Sequence, residues 1–106
     1  ARSSNRYTYF AESRHYAIHV PGVEQEELAL AFARSGHAFD GLEMQISATG
    51  VPLLDACTAR FECEAHALHD AGDHAIAVGR VTRAAVRTGK ALVFCQGDFG
   101  TFDKGA

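Results

Sequence analysis

Residues 57–67 alternate without a break. Every odd position is small or apolar (Cys57, Ala59, Phe61, Cys63, Ala65, Ala67), while Thr58, Arg60, Glu62, Glu64 and His66 fill the even ones. Successive side chains of a strand point to opposite faces, so the pattern predicts a long strand with one buried and one polar face. Asp70-Ala71-Gly72-Asp73 then supplies a turn. The following strand carries Ile76 and Val78 on one face and then Val81, out of step by one residue. That slip predicts a bulge at Gly79-Arg80, of the kind that curves a barrel wall. Thr88-Gly89-Lys90 turns the chain into an apolar strand from Ala91 to Cys95. Gln96-Gly97-Asp98-Phe99-Gly100-Thr101-Phe102 follows, with glycines around an aromatic.

The first half reads differently. Tyr16-Ala17-Ile18-His19-Val20 is alternating and β-prone, and Pro21-Gly22 ends it. Acidic residues crowd the start of the next stretch, where a helix dipole favours them, and Leu28, Ala31 and Phe32 fall on one face. A helix is therefore predicted around residues 23–34, stopped by Ser35-Gly36. Residues 35–56, punctuated by Gly36, Gly41 and Gly50, read as a surface excursion in which Pro52-Leu53-Leu54 is a brief extended or buried piece. The expected fold is mostly β: antiparallel hairpins with one inserted helix, closing as a small barrel.

With 106 residues, one domain is expected. Acids outnumber bases 13 to 10, so there is no basic field to hold nucleic acid or an anionic membrane surface. No apolar run approaches the roughly 20 residues of a membrane-spanning helix. The three cysteines (Cys57, Cys63, Cys95) are an odd number without a Cys-x-x-Cys pair, which predicts reduced, buried thiols in a cytoplasmic protein. Cys57 and Cys63 share the inward face of Phe61, a core position rather than that of a nucleophile. His66, His69 and His74 bracket one turn, but His66 and His69 have opposite parity on a strand, so no metal site is expected.

Three stretches together resemble the flavin reductase family of FMN-binding split-barrel proteins. Ala71-Gly72-Asp73-His74-Ala75-Ile76-Ala77-Val78-Gly79-Arg80-Val81 looks like that family's signature hairpin. Ala91-Leu92-Val93-Phe94-Cys95-Gln96-Gly97-Asp98-Phe99-Gly100 is similar to its terminal strand, and Tyr16-Ala17-Ile18-His19-Val20 with Gln25, Leu28 and Phe32-Ala33 to its strand-then-helix unit. Gly50-Val51-Pro52-Leu53-Leu54 is in register before the long strand. Arg2-Ser3-Ser4-Asn5-Arg6 stands where the family places its flavin-phosphate loop. The resemblance runs from about Arg2 to Phe102. It implies an antiparallel, Greek-key-like split barrel with about three further strands upstream. This chain, which begins without Met, is thus expected to be the C-terminal two-thirds of a single domain.

The resemblance also implies a function: hydride transfer from NADH or NADPH to FMN or FAD. Such a protein is expected to be a homodimer, with a monooxygenase partner receiving the reduced flavin. The non-catalytic alternatives are a flavin- or haem-binding carrier or sensor, and a structural remnant that binds nothing. The cofactors carry the hydride chemistry, so no acid–base triad is required. Ser3, Ser4, Asn5 and Arg6 would hold the phosphate, with hydroxyl and backbone donors and a guanidinium. His19 would lie at the cofactor. His74, oriented by Asp73, would face the flavin and nicotinamide rings as the catalytic residue, and Phe99 would add an aromatic edge. Read from the residues alone, Arg2 to Arg6 is a solvated chain start and Asp73-His74 an Asx-type turn with a surface histidine, while Phe99 is either an aromatic edge or a barrel cap. The sequence departs from the family pattern at His19, where Asn is frequent, at Pro21 and Arg6, and at acidic Asp98, where a basic residue is usual.

Overall fold

The computed structural model describes residues 13–34 and 44–103. Ser3, Ser4, Asn5 and Arg6, and the predicted helix stop at Ser35-Gly36, lie outside the described residues. Three strands build the main sheet: β1 (His15–Val20), β4 (Ala59–Ala71) and β5 (His74–Val86), in the order β1-β4-β5 and antiparallel throughout. Two small antiparallel sheets accompany it, β2 (Met44–Ile46) with β3 (Pro52–Leu54), and β6 (Val93–Cys95) with β7 (Asp98–Gly100).

The predicted helix is a 3-10 turn, Val23–Gln25, leading into α1, Glu26–Arg34. Glu24, Glu26 and Glu27 stand at its positive end and Arg34 in its last turn, as the macrodipole favours. The Gln25 side chain reaches back to accept a hydrogen bond from the Gly22 N–H (2.7 Å), satisfying one donor that the helix start leaves open.

The long hairpin β4–β5 turns at Gly72, whose φ of 74° suits a residue without Cβ. Its irregularities fall elsewhere than at Gly79-Arg80. Ala65 pairs with Gly79 and Ala67 with Val78, leaving His66 as an extra residue on β4. Glu62 pairs with Arg83 and Cys63 with Val81, leaving Thr82 as an extra residue on β5. Parity read along one strand cannot register an insertion in its partner, so two bulges flanking the pair read as a single slip between them. Thr82 compensates for its own displacement by donating its hydroxyl to the Glu62 carbonyl (3.1 Å).

Among the described residues, Leu53, Leu54, Cys57 and Cys63 are the buried apolar side chains. The core therefore sits where β3 and the loop after it meet the main sheet, and Pro52–Leu54 is central rather than part of a surface excursion. Cys95, expected to be buried, is exposed, and its strand lies open to solvent. β4 begins at Ala59, so Cys57 and Thr58 lie before it, and its alternation runs to the extra residue at His66; the faces also differ from the expectation. Arg60, Glu62 and Glu64 on the even face are half-buried, whereas Ala65 on the odd face is exposed. Alternation assigns residues to faces; what covers each face is a tertiary matter. Register partners along the odd face, Ile18 with Phe61 and Val86 with Ala59, leave Ile18 and Val86 as exposed apolar side chains. Among the described residues no helix is long and apolar enough to cross a membrane.

Candidate functional site

Asp73 and His74 lie at the turn end of the β4–β5 hairpin, both exposed to solvent. The His74 Nδ1 is 2.8 Å from Asp73 Oδ1. A carboxylate only accepts, so in this contact Nδ1 is the donor and the ring plane is held by Asp73. On the same strand parity follow Ile76 and Val78, both exposed. An oriented imidazole beside an open apolar strip suits one face of a planar heterocycle.

His19 is placed otherwise than expected for a cofactor contact. Its Nε2 accepts the backbone N–H of Leu54 at 3.0 Å, which commits that lone pair to the packing of β3. Burial, reinforced by the Arg60 charge, pushes its pKa below the usual histidine value. Its ring lines an apolar cavity of about 320 Å³ with Ala17, Leu28, Phe32, Leu54 and Cys57. Cys57 is buried there, hydrogen-bonded to the Gln25 side chain, and burial raises its thiol pKa. Burial raises the Cys63 thiol too.

Phe99 belongs to a third place. It is the register partner of Phe94 across β6–β7, with ring centroids 4.9 Å apart at an interplanar angle of 58°. A tight turn with Gln96 at φ 53° and Gly97 at φ 86° joins the two strands. The segment leading into β6 is tied to the end of β1, with Leu92 N–H donating to Pro21 (2.8 Å) and Val23 N–H to Lys90 (2.9 Å). The Val20 end of β1 pairs with Ala59, which pairs with Val86. From Val86 back to His74, β5 runs 13 residues, about 40 Å of extended chain. A single chain therefore does not bring His74 and the anchored end of the Phe99 hairpin together. His74 thus stands at the other end of β5 from the Val20 end of β1, where His19 sits one residue from the strand end and the lead-in to the Phe99 hairpin is tied through Leu92 and Lys90.

Arg60 escaped the sequence reading. It sits on the even face of β4, taken there to be a solvated polar face. In the fold it is the register partner of His19, and its Nη1 donates to the Leu54 carbonyl (3.4 Å) and pairs with Asp55 (3.0 Å). Its buried Nε has no hydrogen-bond partner. Together with His15, Glu62 and Arg83 it forms the sheet side of a cleft of about 680 Å³, whose opposite side is Gln45, Ser47, Thr49 and Leu53 of the β2–β3 hairpin. The available signal was the position of Arg60 six residues after Leu54, close enough to cap that apolar segment. Among the described residues no group of three or more His, Cys, Asp or Glu is placed to hold a metal ion.

Comparison with known proteins fits this architecture. The flavin reductase like domain matches residues 1–103. The chain is 49% identical over 104 residues to the FMN reductase (NADH) SmoA of Agrobacterium fabrum, covering 98% of this chain and 60% of that protein. It is 34% identical over 96 residues to an NADH-dependent flavin reductase of Rhodococcus, covering 91% of this chain and 54% of the relative. The chain thus spans a little over half the length of these relatives. Among solved structures, the NADH:FAD oxidoreductase SgcE6 of Streptomyces globisporus, in complex with NAD and FAD fragments, superposes with a TM-score of 0.87 at 28% identity, over 98% of this chain and 65% of that one. The strands and single helix described above are those of the split barrel that these structures share. From the long bulged hairpin to the helix behind β1, the chain belongs to the flavin reductase like domain family.

Proposed function

We propose that the protein of which this chain is part is an NADH-dependent flavin reductase, with FMN as flavin, serving as the reductase component of a two-component monooxygenase. The observation that carries the reading is the Asp73–His74 pair beside the open apolar strip of Ile76 and Val78, in a chain whose relatives are named for this reaction. A monooxygenase partner is supported by a trigonelline monooxygenase reductase component of Acinetobacter baylyi, 39% identical over 82 residues. FAD is the alternative flavin, supported by the NADH:FAD oxidoreductase structure.

A bound flavin supplies the hydride-accepting chemistry, and the protein supplies placement and exclusion of water. The sequence offers such a group a donor-rich segment from Ser3 to Arg6 for its phosphate, and the exposed imidazole of His74, oriented by Asp73, for a ring face. Asp73 accepts from His74 Nδ1 and so sets the plane of the ring that would meet the nicotinamide. Ile76 and Val78 offer an apolar surface on which the stacked rings shed water. Since about 40 Å of strand separates His74 from the other end of β5, a homodimer in which each subunit's hairpin reaches the other's flavin is the arrangement that reunites the site. A cytoplasmic setting agrees with the unpaired thiols of Cys57, Cys63 and Cys95.

The test is to mix the full-length protein with FMN and NADH and follow the nicotinamide absorbance. NADH oxidation that depends on FMN supports the reductase. Flavin binding without turnover would make the protein a carrier, and flat fluorescence titrations with FMN and FAD would make it a remnant.

A further inference from the structure

His19 and Arg60 face each other across β1 and β4, and between them they hold both backbone polar groups of Leu54. His19 Nε2 accepts from its N–H, and Arg60 Nη1 donates to its carbonyl. Leu54 ends β3, and β2–β3 is a separate sheet that shares no backbone ladder with β1-β4-β5. These two side chains are therefore a hinge point between the sheets, and the cleft of about 680 Å³ lies between the parts they join.

The two halves of this clamp respond differently to protons. Arg60 contributes a guanidinium, which only donates, and is braced by Asp55. His19 accepts only while Nε2 is unprotonated. Once protonated, two N–H groups confront each other, and an imidazolium stands beside a guanidinium. Along the same face of β1 stands His15, and β4 presents Arg60, Glu62 and Glu64, with Asp55 already engaged by Arg60. Of these charges it is that of Arg60 that acts on the His19 ring, and it opposes protonation. The loop after β3 presents the Cys57 thiol, and the helix presents Leu28, Ala29 and Phe32.

We infer that His19 is a proton-operated latch on the β2–β3 hairpin, closed when its Nε2 is unprotonated and released by acid, so that protonation loosens one wall of the cleft. The inference stands independently of the flavin reading, because its readout needs no cofactor.

The experiment is amide hydrogen exchange of the full-length protein, at pH 7.5 and at successive lower values, with each rate corrected for intrinsic exchange. The Leu54 amide is expected to lose protection by about tenfold per pH unit below the folded pKa of His19, while Cys63, inside the β4–β5 ladder, keeps its own. In His19→Gln, whose Oε1 reaches the same position without titrating, Leu54 protection is expected to stay level. Equal protection of Leu54 across the pH range in the wild type overturns the proposal, as does the same acid loss in His19→Gln. If that variant does not fold, nitrogen shifts of the wild-type ring decide: an Nδ1–H tautomer at pH 7.5 is required, and an Nε2–H tautomer refutes the latch.

Discussion

The phenol hydroxyl of Tyr16, on β1, occupies the space in which a side chain at Gly79, on β5, would begin. Cys63 of the intervening strand closes the same space, with its Cβ 3.2 Å from that point. Gly79 has no need of glycine for its backbone angle; it is needed because Tyr16 reaches across β4. Gly79→Ala should therefore cost about 1–3 kcal/mol by overpacking. Urea unfolding measures it, and Tyr16→Phe in the same chain, by removing the nearest atom, should return part of the loss. A Gly79→Ala protein as stable as the wild type would show that the strands separate freely here.

His74→Ala should slow FMN-dependent NADH oxidation by about 10–100-fold, the scale of lost positioning, while leaving flavin affinity close to that of the wild type. Asp73→Asn keeps an oxygen that can accept from Nδ1 and should fall between the two. Steady-state kinetics beside a fluorescence titration with FMN separate these effects. Unchanged turnover in His74→Ala removes the residue from the site.

What was legible in the sequence was local. The strand within residues 57–67, the turn within Asp70-Ala71-Gly72-Asp73 and the acidic helix start each encode their own geometry: β4 spans Ala59–Ala71, the turn narrows to Gly72-Asp73, and the helical stretch begins at Val23. The apolar Pro52-Leu53-Leu54 announced burial in three residues, though not that it would become the centre of the core. What could not be read was which face of β4 would be covered. Arg60 looks solvated by pattern, yet it is held against Leu54 because a guanidinium can satisfy a backbone carbonyl while its stem packs. That the lead-in to the Phe99 hairpin is tied to Pro21 and Val23 was equally hidden, since motif order does not say which strand end a hairpin packs against.

The three thiols should divide by exposure. Burial raises the pKa of Cys57 and of Cys63, so little thiolate is present at either near neutral pH, and both are shielded from reagent. Cys95, in the open β6–β7 hairpin, is exposed. Brief alkylation of the native protein at pH 8, read by peptide mass spectrometry, should modify Cys95 first, with Cys57 and Cys63 following only in denaturant. Early labelling of Cys57 would mean that the cavity beside α1 opens readily.

His19 also sets a sign for stability against pH. Its folded pKa lies below the ordinary 6.5, through burial first and the Arg60 charge second. The unfolded chain then binds a proton at a pH where the folded one does not, so stability rises with pH across that interval. The contribution is whole above about pH 6.5, and it is lost as pH falls toward and through the folded pKa. The slope from this one group cannot exceed about 1.4 kcal/mol per pH unit. Chemical denaturation between pH 8 and pH 5 should show the wild type losing more stability than His19→Gln, with the two curves parallel above pH 7. Curves that stay parallel to pH 5 would mean that His19 takes up its proton equally well folded and unfolded, and that the Leu54 hydrogen bond does not depend on its neutral ring.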